Sequence, residues 1–267
     1  MPELIYPELS YTVQGAFYDV YNELCAFELS EKGWETALLI ALDERGIAAQ
    51  QQVEYALHYK GYRIGRFFVD MLVDRKLLLE LKVEEKMLSI DEAQVITYLK
   101  VSGLKLGILV NFGGNDLKFK RIPNFVSERT ACRSSVNAVP NEALDHLLYP
   151  KLTGDLRAIL YEVHNELGPG FMHMHYRRAT QLELRWHDIA YELKKEVTIP
   201  FRGQPIETRE TRILIVDNKI LLTPIAVREI TPIIKTRFRQ YLKLFDIRLG
   251  LIANFHATSL EIQTVRI

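Results

Sequence analysis

The sequence predicts an α/β protein made of two tandem copies of one domain, each a mixed β-sheet flanked by helices. Three observations predict it: the chain length, an internal repeat, and the order of helical and strand patterns. The chain has 267 residues, of which 48% are hydrophobic and 25% charged. That length exceeds the usual size of one domain, and the composition supplies enough apolar side chains for packed cores. Disordered and low-complexity chains are therefore excluded.

An internal repeat at an offset of 143 residues supports the duplication. Tyr98-Leu99-Lys100 recurs as Tyr241-Leu242-Lys243, and Asn111-Phe112 recurs as Asn254-Phe255. Without a gap, 13 of the 43 positions from 70 to 112 are identical to their counterparts. We therefore expect one domain at residues 1–128 and a second at 150–267. They are joined by a segment at 129–149, whose Ser, Asn and Pro content is typical of a linker.

The sequence of the first copy predicts two helices, three strands, a helix and two strands, in that order. Ser30 has the position and chemistry of an N-cap for the second helix, and Gly46 ends it. Apolar periodicity and turn residues place the elements as helices at 11–24, 31–45 and 91–102, and strands at 51–59, 62–73, 76–83, 106–111 and 117–122. Antiparallel strands followed by a crossover helix imply a mixed sheet covered by helices, and the second copy follows the same order.

Charge and cysteine content narrow the protein class. No apolar run reaches the ~18 residues needed to cross a bilayer, and the first residues lack the pattern of a signal peptide, so we expect a cytoplasmic protein without a membrane partner. Cys25 and Cys132 show no CxxC spacing, which fits a reducing compartment.

The 34 basic side chains of the chain balance its 34 acidic ones, but the two halves differ in charge. Residues 1–143 hold 16 basic and 20 acidic side chains, and residues 144–267 hold 18 basic and 14 acidic ones. This asymmetry is equally compatible with scatter between two solvated surfaces.

Three residues of the first copy suggest a metal site. Glu80 and Lys82 share one face of a predicted strand, while Leu79 and Leu81 point to the core. Asp70 lies ten residues earlier, across a short hairpin, where it can converge on Glu80. Two carboxylates beside water suit Mg²⁺ or Mn²⁺, and Lys82 can orient the attacking water or offset charge on phosphorus. The structural alternative is a same-face ion pair of Glu80 and Lys82 at a strand end.

Two further segments supply candidate side chains. Glu31, at the start of a helix, can add a third carboxylate, although the helix dipole alone also favours an acid there. Gln94 and Tyr98 lie one turn apart on the crossover helix and face the same side of it.

The sequence Asp70, then Glu80-Leu81-Lys82, resembles the Asp…Glu-x-Lys core of the PD-(D/E)XK nuclease superfamily. More narrowly, both copies resemble the GxxExxY family over nearly their whole length. The second copy keeps Glu166-Leu167-Gly168-Pro169-Gly170 and Tyr176 but has His173 for the family's Glu; the first keeps Glu31 but has Glu28 for the glycine and Trp34 for the tyrosine. The resemblance implies a divalent cation and these site residues: Glu31, Asp70, Glu80, Lys82 and Gln94, with Glu31, Asp70 and Glu80 as metal ligands.

The second copy lacks this chemistry. At the repeat offset, the four counterparts of Asp70, Glu80, Lys82 and Gln94 are Ile213, Thr223, Ile225 and Arg237. Pro224 removes a ladder donor, so we expect its strand to be distorted or at a sheet edge. We interpret this copy as a degenerate domain that makes the chain a pseudo-dimer.

The basic residues of the second copy predict that it binds nucleic acid. We expect Tyr98 of the first copy and Arg237, Arg239 and Lys243 of the second to contact nucleic acid, the cations through phosphates. A solvated helix face is the alternative for these cations.

These observations favour a Mg²⁺- or Mn²⁺-dependent endonuclease or exonuclease, acting on DNA, with catalysis in the first copy. A second hypothesis is a non-catalytic, nuclease-derived module that binds nucleic acid or a partner protein. A third is a hydrolase for another anionic substrate. The residues themselves indicate only a metal and an anionic group, and the resemblance supplies the choice of DNA.

Overall fold

The computed structural model describes residues 4–124 and 148–267, which fall into two compact units. The predicted linker at 129–149 lies, except for its last two residues, outside the described residues, as does Cys132. The predicted domain boundaries and the pseudo-dimer stay predictions. No helix within the described ranges is both long and apolar enough to span a membrane.

The first unit has the predicted order of elements. They are α1 (Pro7–Leu24), α2 (Glu31–Asp43), β1 (Ala49–Tyr59), β2 (Tyr62–Val73), β3 (Leu77–Lys82), α3 (Ser89–Ser102), β4 (Leu106–Asn111) and β5 (Lys118–Pro123). Ser30 is the N-cap of α2, and its hydroxyl oxygen accepts a hydrogen bond from the Gly33 amide. Helix α1 begins at Pro7 rather than Tyr11, because proline fits the first helical turn, where no amide donor is needed.

The five strands form one mixed sheet in the order β1-β2-β3-β4-β5. Strands β3 and β4 are parallel, the other neighbouring pairs are antiparallel, and β5 lies at the edge as expected. The apolar sides of α1 and α2 pack with side chains of β2, β3 and β4 into one core, which includes Phe17, Leu38, Met71, Leu79 and Val110. The predicted α/β class and mixed sheet are confirmed.

The second unit repeats this architecture. Its elements are α4 (Pro150–Leu167), α5 (His173–Trp186), β6 (Tyr191–Phe201), β7 (Gln204–Val216), β8 (Ile220–Ile225), α6 (Pro232–Leu244), β9 (Leu249–Asn254) and β10 (Glu261–Arg266). The sheet order is β10-β9-β8-β7-β6, with β8 parallel to β9.

Of the two alternatives expected at Pro224, a distorted strand or an edge strand, the edge strand is wrong, because β8 is the central strand. Pro224 is the register partner of Ala253 in β9. On the β7 side the ladder ends at the pair of Leu214 and Leu222. The proline therefore lies beyond the last β7–β8 pair, where its missing amide proton interrupts no ladder with β7.

The repeated Asn-Phe pair has the same structural role in both units. The Asn111 side chain accepts from the Glu84 amide at 2.9 Å and donates to the Glu84 carbonyl at 2.8 Å. Asn254 makes the same two bonds with Val227, at 3.0 and 2.8 Å. Each asparagine thus fixes the chain that leaves the central strand, and with it the end of the strand that carries Glu80 in the first unit.

The phenylalanines that follow these asparagines hold the second helix of each unit. Trp34 stacks on Phe112 at 4.6 Å between ring centroids, and Tyr176 stacks on Phe255 at 4.4 Å. The two stacks make Trp34 and Tyr176 equivalent, so Glu31 corresponds to His173 as the resemblance implies.

Candidate active site

The candidate site lies where β2 and β3 separate. Their ladder ends at the pair of Met71 and Leu79. Two residues beyond Leu79, the Leu81 amide donates to Asp70 Oδ2 at 2.8 Å instead of to a strand carbonyl. Because Leu72 and Leu78 are direct cross-strand partners, the alternation of side chains places Asp70 and Glu80 on the same side of the sheet.

Glu80 is a deeply buried acid with one uncompensated oxygen. Its side chain is 2% exposed, and Oε1 accepts a hydrogen bond from Lys82 Nζ at 2.7 Å. Oε2 is buried and has no hydrogen-bond partner. Burial and the charge of Asp70 raise the pKa of Glu80 to about 8, against the opposing charge of Lys82. Burial lowers the pKa of Lys82, but the nearby acids, Glu80 first among them, raise it above its ordinary value.

Helix α2 brings two more acids to Asp70. The side chains of Glu31, Glu35 and Asp70 each offer an oxygen, and these oxygens lie within 4.8 Å of one another. Glu31 and Glu35 are one helical turn apart, so both face the same side of α2. Glu35 is 5% exposed, whereas Glu31 is exposed. The cluster is thus open to solvent at Glu31 and closed at Glu35.

Gln52 of β1 fixes this cluster from the other side. Its Nε2 donates to Glu35 Oε1 at 3.0 Å, and its hydrogen bond to Asp70 lowers the pKa of that acid. In the β1–β2 register Gln52 lies between the pairs of Gln51 with Met71 and Val53 with Val69, hence opposite Asp70. Its φ of 50° lies in the left-handed region, which a non-glycine residue adopts at a cost of about 1–3 kcal/mol.

The acids oppose one another's ionisation. Burial raises the pKa of Asp70, Glu31 and Glu35, and in each case a neighbouring acid raises it further. Lys82 opposes this shift for Asp70 and Glu31 but is already bonded to Glu80. Lys32 opposes the shift for Glu35. Four acids near two lysines still leave an excess of negative charge, which a bound cation would compensate.

Gln94 does not join the acids directly in the described contacts. Its Nε2 donates to the Tyr98 hydroxyl at 2.9 Å, and burial followed by the charge of Glu80 raises the pKa of Tyr98. The Tyr98 ring is 6% exposed and packs against Phe67 at 4.8 Å between centroids. This burial argues for an internal role of Tyr98, and its predicted contact with nucleic acid stays a prediction.

The sequence profile of the PD-(D/E)XK nuclease superfamily matches residues 7–122 and 150–267. The chain belongs to the PD-(D/E)XK nuclease superfamily. Each unit thus has a nuclease-like fold, and the Asp70, Glu80 and Lys82 cluster lies within the first matched segment. The superfamily generally uses divalent metals, and the first unit carries an acidic cluster.

Other comparisons add little to this membership. No curated protein matches the chain significantly. A solved structure described as "Crystal structure of SSO0001" is 19% identical, with a TM-score of 0.29. The match covers 34% of this chain and 48% of that chain, so it spans less than half of the solved protein.

Of the predicted PD-(D/E)XK residues, the structure brings Asp70, Glu80, Lys82 and Glu31 together, while Gln94 reaches them only through Tyr98. Their roles stay predictions. The motif itself did not single out Glu35 and Gln52. For Glu35 the available signal was its position one turn after Glu31, whereas no sequence signal marks the backbone conformation of Gln52.

The second PD-(D/E)XK unit has no carboxylate at the counterparts of Asp70 and Glu80. Ile213 and Thr223 occupy these positions, and Pro224 stands where Leu81 donates its amide to Asp70. The donor and the acceptor of this one hydrogen bond are thus both absent, so neither is left without its partner. The predicted phosphate contacts of this unit, Arg237, Arg239 and Lys243, are exposed on α6.

Proposed function

We propose that the first unit is a metal-dependent nuclease that hydrolyses phosphodiester bonds in DNA. The observation that carries the proposal is the buried Glu80 Oε2 without a partner, beside the acids Glu31, Glu35 and Asp70. An acid this buried is retained where a proton or a cation compensates it. Superfamily membership supports the nuclease chemistry.

The donor set fits Mg²⁺ or Mn²⁺. All the candidate ligands are carboxylate oxygens, which these hard cations prefer over nitrogen or sulfur. Glu31, Asp70 and Glu80 would hold the ion, with Glu35 beside them. When bound, it supplies Lewis-acid stabilisation of the charge that develops on the phosphate.

The protein groups have separable roles in this proposal. Gln52 holds Glu35 and Asp70 in place by hydrogen bonds. Lys82, positioned by Glu80, places a positive charge beside the reacting phosphate and orients the water. The exposed Glu31 side of the cluster is where the substrate would enter. Gln94 keeps the Tyr98 hydroxyl oriented behind the acids.

Cleavage assays with matched variants test the proposal. Linear, nicked and single-stranded DNA, and RNA, are incubated with the full chain and Mg²⁺ or Mn²⁺. We expect DNA cleavage that Asp70→Asn, Glu80→Gln and Lys82→Met each abolish, and that the exposed control Glu23→Gln leaves unchanged. Cleavage that persists in all three site variants would show that a contaminant or another site is responsible.

Metal binding separates the enzyme from a non-catalytic binding module. We expect calorimetry to detect Mn²⁺ binding by the full chain, and Glu35→Gln to weaken it by about tenfold or more, since substitutions beside metal ligands typically have this effect. If the unsubstituted chain does not bind Mn²⁺, the non-catalytic binding module is favoured. The second unit, which keeps the fold but lacks the counterparts of Asp70 and Glu80, is a precedent for such a module.

We propose further that the second unit is a degenerate GxxExxY copy that helps to bind nucleic acid. It keeps Gly168-Pro169-Gly170 and Tyr176 but has His173 in place of the acid. Arg237, Arg239 and Lys243 supply exposed positive charge. Arg237→Glu with Arg239→Glu should weaken DNA binding and reduce its dependence on salt. Unchanged affinity and salt dependence would reject this role.

A further inference from the structure

A buried arginine in the second unit lacks, among the described residues, the acidic partner that such a residue normally has. Arg177 of α5 is 7% exposed, and its Nε has no hydrogen-bond partner. It forms no ion pair with any residue in the ranges 4–124 and 148–267. A guanidinium has five donors and keeps its charge. Burial without a compensating anion is therefore unfavourable.

The charged groups around Arg177 increase this imbalance. Burial lowers the pKa of Arg177, and the charges of Arg212 and Arg178 lower it further. His173 lies one turn earlier on the same side of α5, and burial and then the charge of Arg177 lower its pKa. Arg212 pairs with the exposed Glu210 at 3.3 Å. An acid therefore lies at the solvent-exposed edge of these cations, next to Arg212.

The position of Arg177 corresponds to that of Glu35. The equivalence of Trp34 and Tyr176 places His173 and Arg177 where the first unit has Glu31 and Glu35. The Asp70 counterpart is the apolar Ile213. The second unit has thus replaced the two acids of this helical turn by basic residues, in the same fold.

The start of α5 adds donors of the same kind. Its N-cap, Met172, makes no side-chain capping bond. The helix has 14 residues, and its first amides and dipole favour an anion. His173 and Arg178 are exposed, so the group is open to solvent while the Arg177 guanidinium is sheltered.

We propose that Arg177, His173 and the start of α5 form an oxyanion site for the phosphate group. Arg177 is the anchor, because its fork of donors binds two phosphate oxygens at once. The ligand is phosphate chemistry, either a free ion or a phosphate of a nucleic-acid backbone. This site is separate from the proposed nuclease centre and does not depend on it.

Calorimetry with inorganic phosphate tests the site. The full chain is titrated at constant ionic strength in EDTA, so that divalent cations play no part. We expect saturable binding to one site, which Arg177→Met weakens by about tenfold or more, as loss of hydrogen bonds to a charged group implies. Arg266→Gln removes one exposed charge from the same unit and should leave binding unchanged.

A second variant, Arg212→Gln, tests the site independently in case Arg177→Met does not fold. Arg212→Gln alters an exposed side chain and should weaken phosphate binding severalfold through the lost charge. Competition by a short single-stranded oligonucleotide then distinguishes the sources: displacement of phosphate assigns a backbone phosphate, and no displacement assigns the free ion. No saturable phosphate binding by the unsubstituted chain, or equal binding by folded Arg177→Met, overturns the proposal.

Discussion

At the scale of single residues, the most unusual group is Glu80. A carboxylate that is 2% exposed needs compensation by a proton, a cationic side chain or a metal ion. Lys82 compensates one oxygen and leaves the other without a partner. The raised pKa of about 8 means that the metal-free site holds a proton on Glu80 at neutral pH.

This proton makes the stability of the metal-free protein dependent on pH. Between the unfolded value of 4.5 and the folded value of about 8, only the folded state keeps the proton on Glu80. The free energy of unfolding therefore falls as the pH rises through this window, by at most about 1.4 kcal/mol per pH unit for one proton. We expect Glu80→Gln to flatten the upper part of this decline, measured by urea unfolding in EDTA from pH 5 to 8.5.

The exposed Glu23→Gln provides the control, because it removes an acid outside the cluster. Its unfolding free energy should follow that of the unsubstituted chain across the whole pH range. An equally steep decline in Glu80→Gln near pH 7 would show that Glu80 is ionised in the folded protein and that its burial is compensated in another way.

The sequence predicted part of this cluster, for reasons that differ between residues. Alternation along a strand is local, so it predicted a shared face for Glu80 and Lys82. The short hairpin predicted that Asp70 converges on Glu80, and the β2–β3 register places both acids on one side of the sheet. Glu35 was missed because acids one turn apart on a helix are usually solvated. The role of Gln52 depends on a left-handed backbone opposite Asp70, and no composition or spacing encodes that conformation.

At the scale of elements, Leu106-Gly107 and its repeat Leu249-Gly250 mark where a helix approaches the sheet. A Cβ added to Gly107 would lie 2.6 Å from Cγ1 of Val95, which is fully buried on α3. In the second unit, a Cβ added to Gly250 would clash with the ring of Phe238 on α6. The glycines thus allow the crossover helix to pack closely on the parallel strands.

We expect Gly107→Ala and Gly250→Ala to destabilise the protein by about 1–3 kcal/mol each, because both overpack a closed contact. Gly15→Ala is the matched control, since nothing lies within 4 Å of its added Cβ on α1. It should be neutral or stabilising by up to about 1 kcal/mol. Guanidinium unfolding measures all three, and equal effects of Gly15→Ala and Gly107→Ala would contradict close packing as the cause.

The elements themselves were the most predictable feature. Periodicity placed every helix and strand of the first unit, and the boundaries differ by four residues at most, at the start of α1. The edge position expected for Pro224 was wrong because a missing amide donor matters only where a neighbouring strand needs it. On the parallel side β8 continues past Pro224, and on the β7 side its ladder has already ended.

At the scale of the whole chain, two copies of one fold differ in charge at equivalent positions, with the acid Glu35 in the first and the cation Arg177 in the second. The formal net charge is zero, so composition alone conceals this difference. Four acids surround the site of the first unit, whereas His173 and Arg177 replace two of them in the second. The sequence alone showed His173 in place of the acid, whereas the structure shows that Arg177 occupies the position of Glu35 and is buried without an acidic partner among the described residues.

This asymmetry predicts that the first unit alone accounts for tight Mn²⁺ binding. The double variant Asp70→Asn with Glu80→Gln should abolish it in the full chain, because Ile213 and Thr223 offer no carboxylate. Paramagnetic resonance of free Mn²⁺ measures the loss, and Thr223→Ala should bind like the unsubstituted chain. Retention of a tight site in the double variant would locate metal binding elsewhere.

Pro224 has a consequence for any attempt to engineer the missing centre into the second unit. Restoring Asp at position 213, Glu at 223 and Lys at 225 would recreate the side chains but not the amide that donates to Asp70 in the first unit. The new aspartate would face the amide nitrogen of proline, which carries no proton to donate. Rebuilding the strand part of the centre therefore requires a fourth exchange, of the proline itself, in addition to acids at positions 173 and 177. The order of the exchanges matters, because a chain that gains the aspartate before the amide passes through a less stable intermediate.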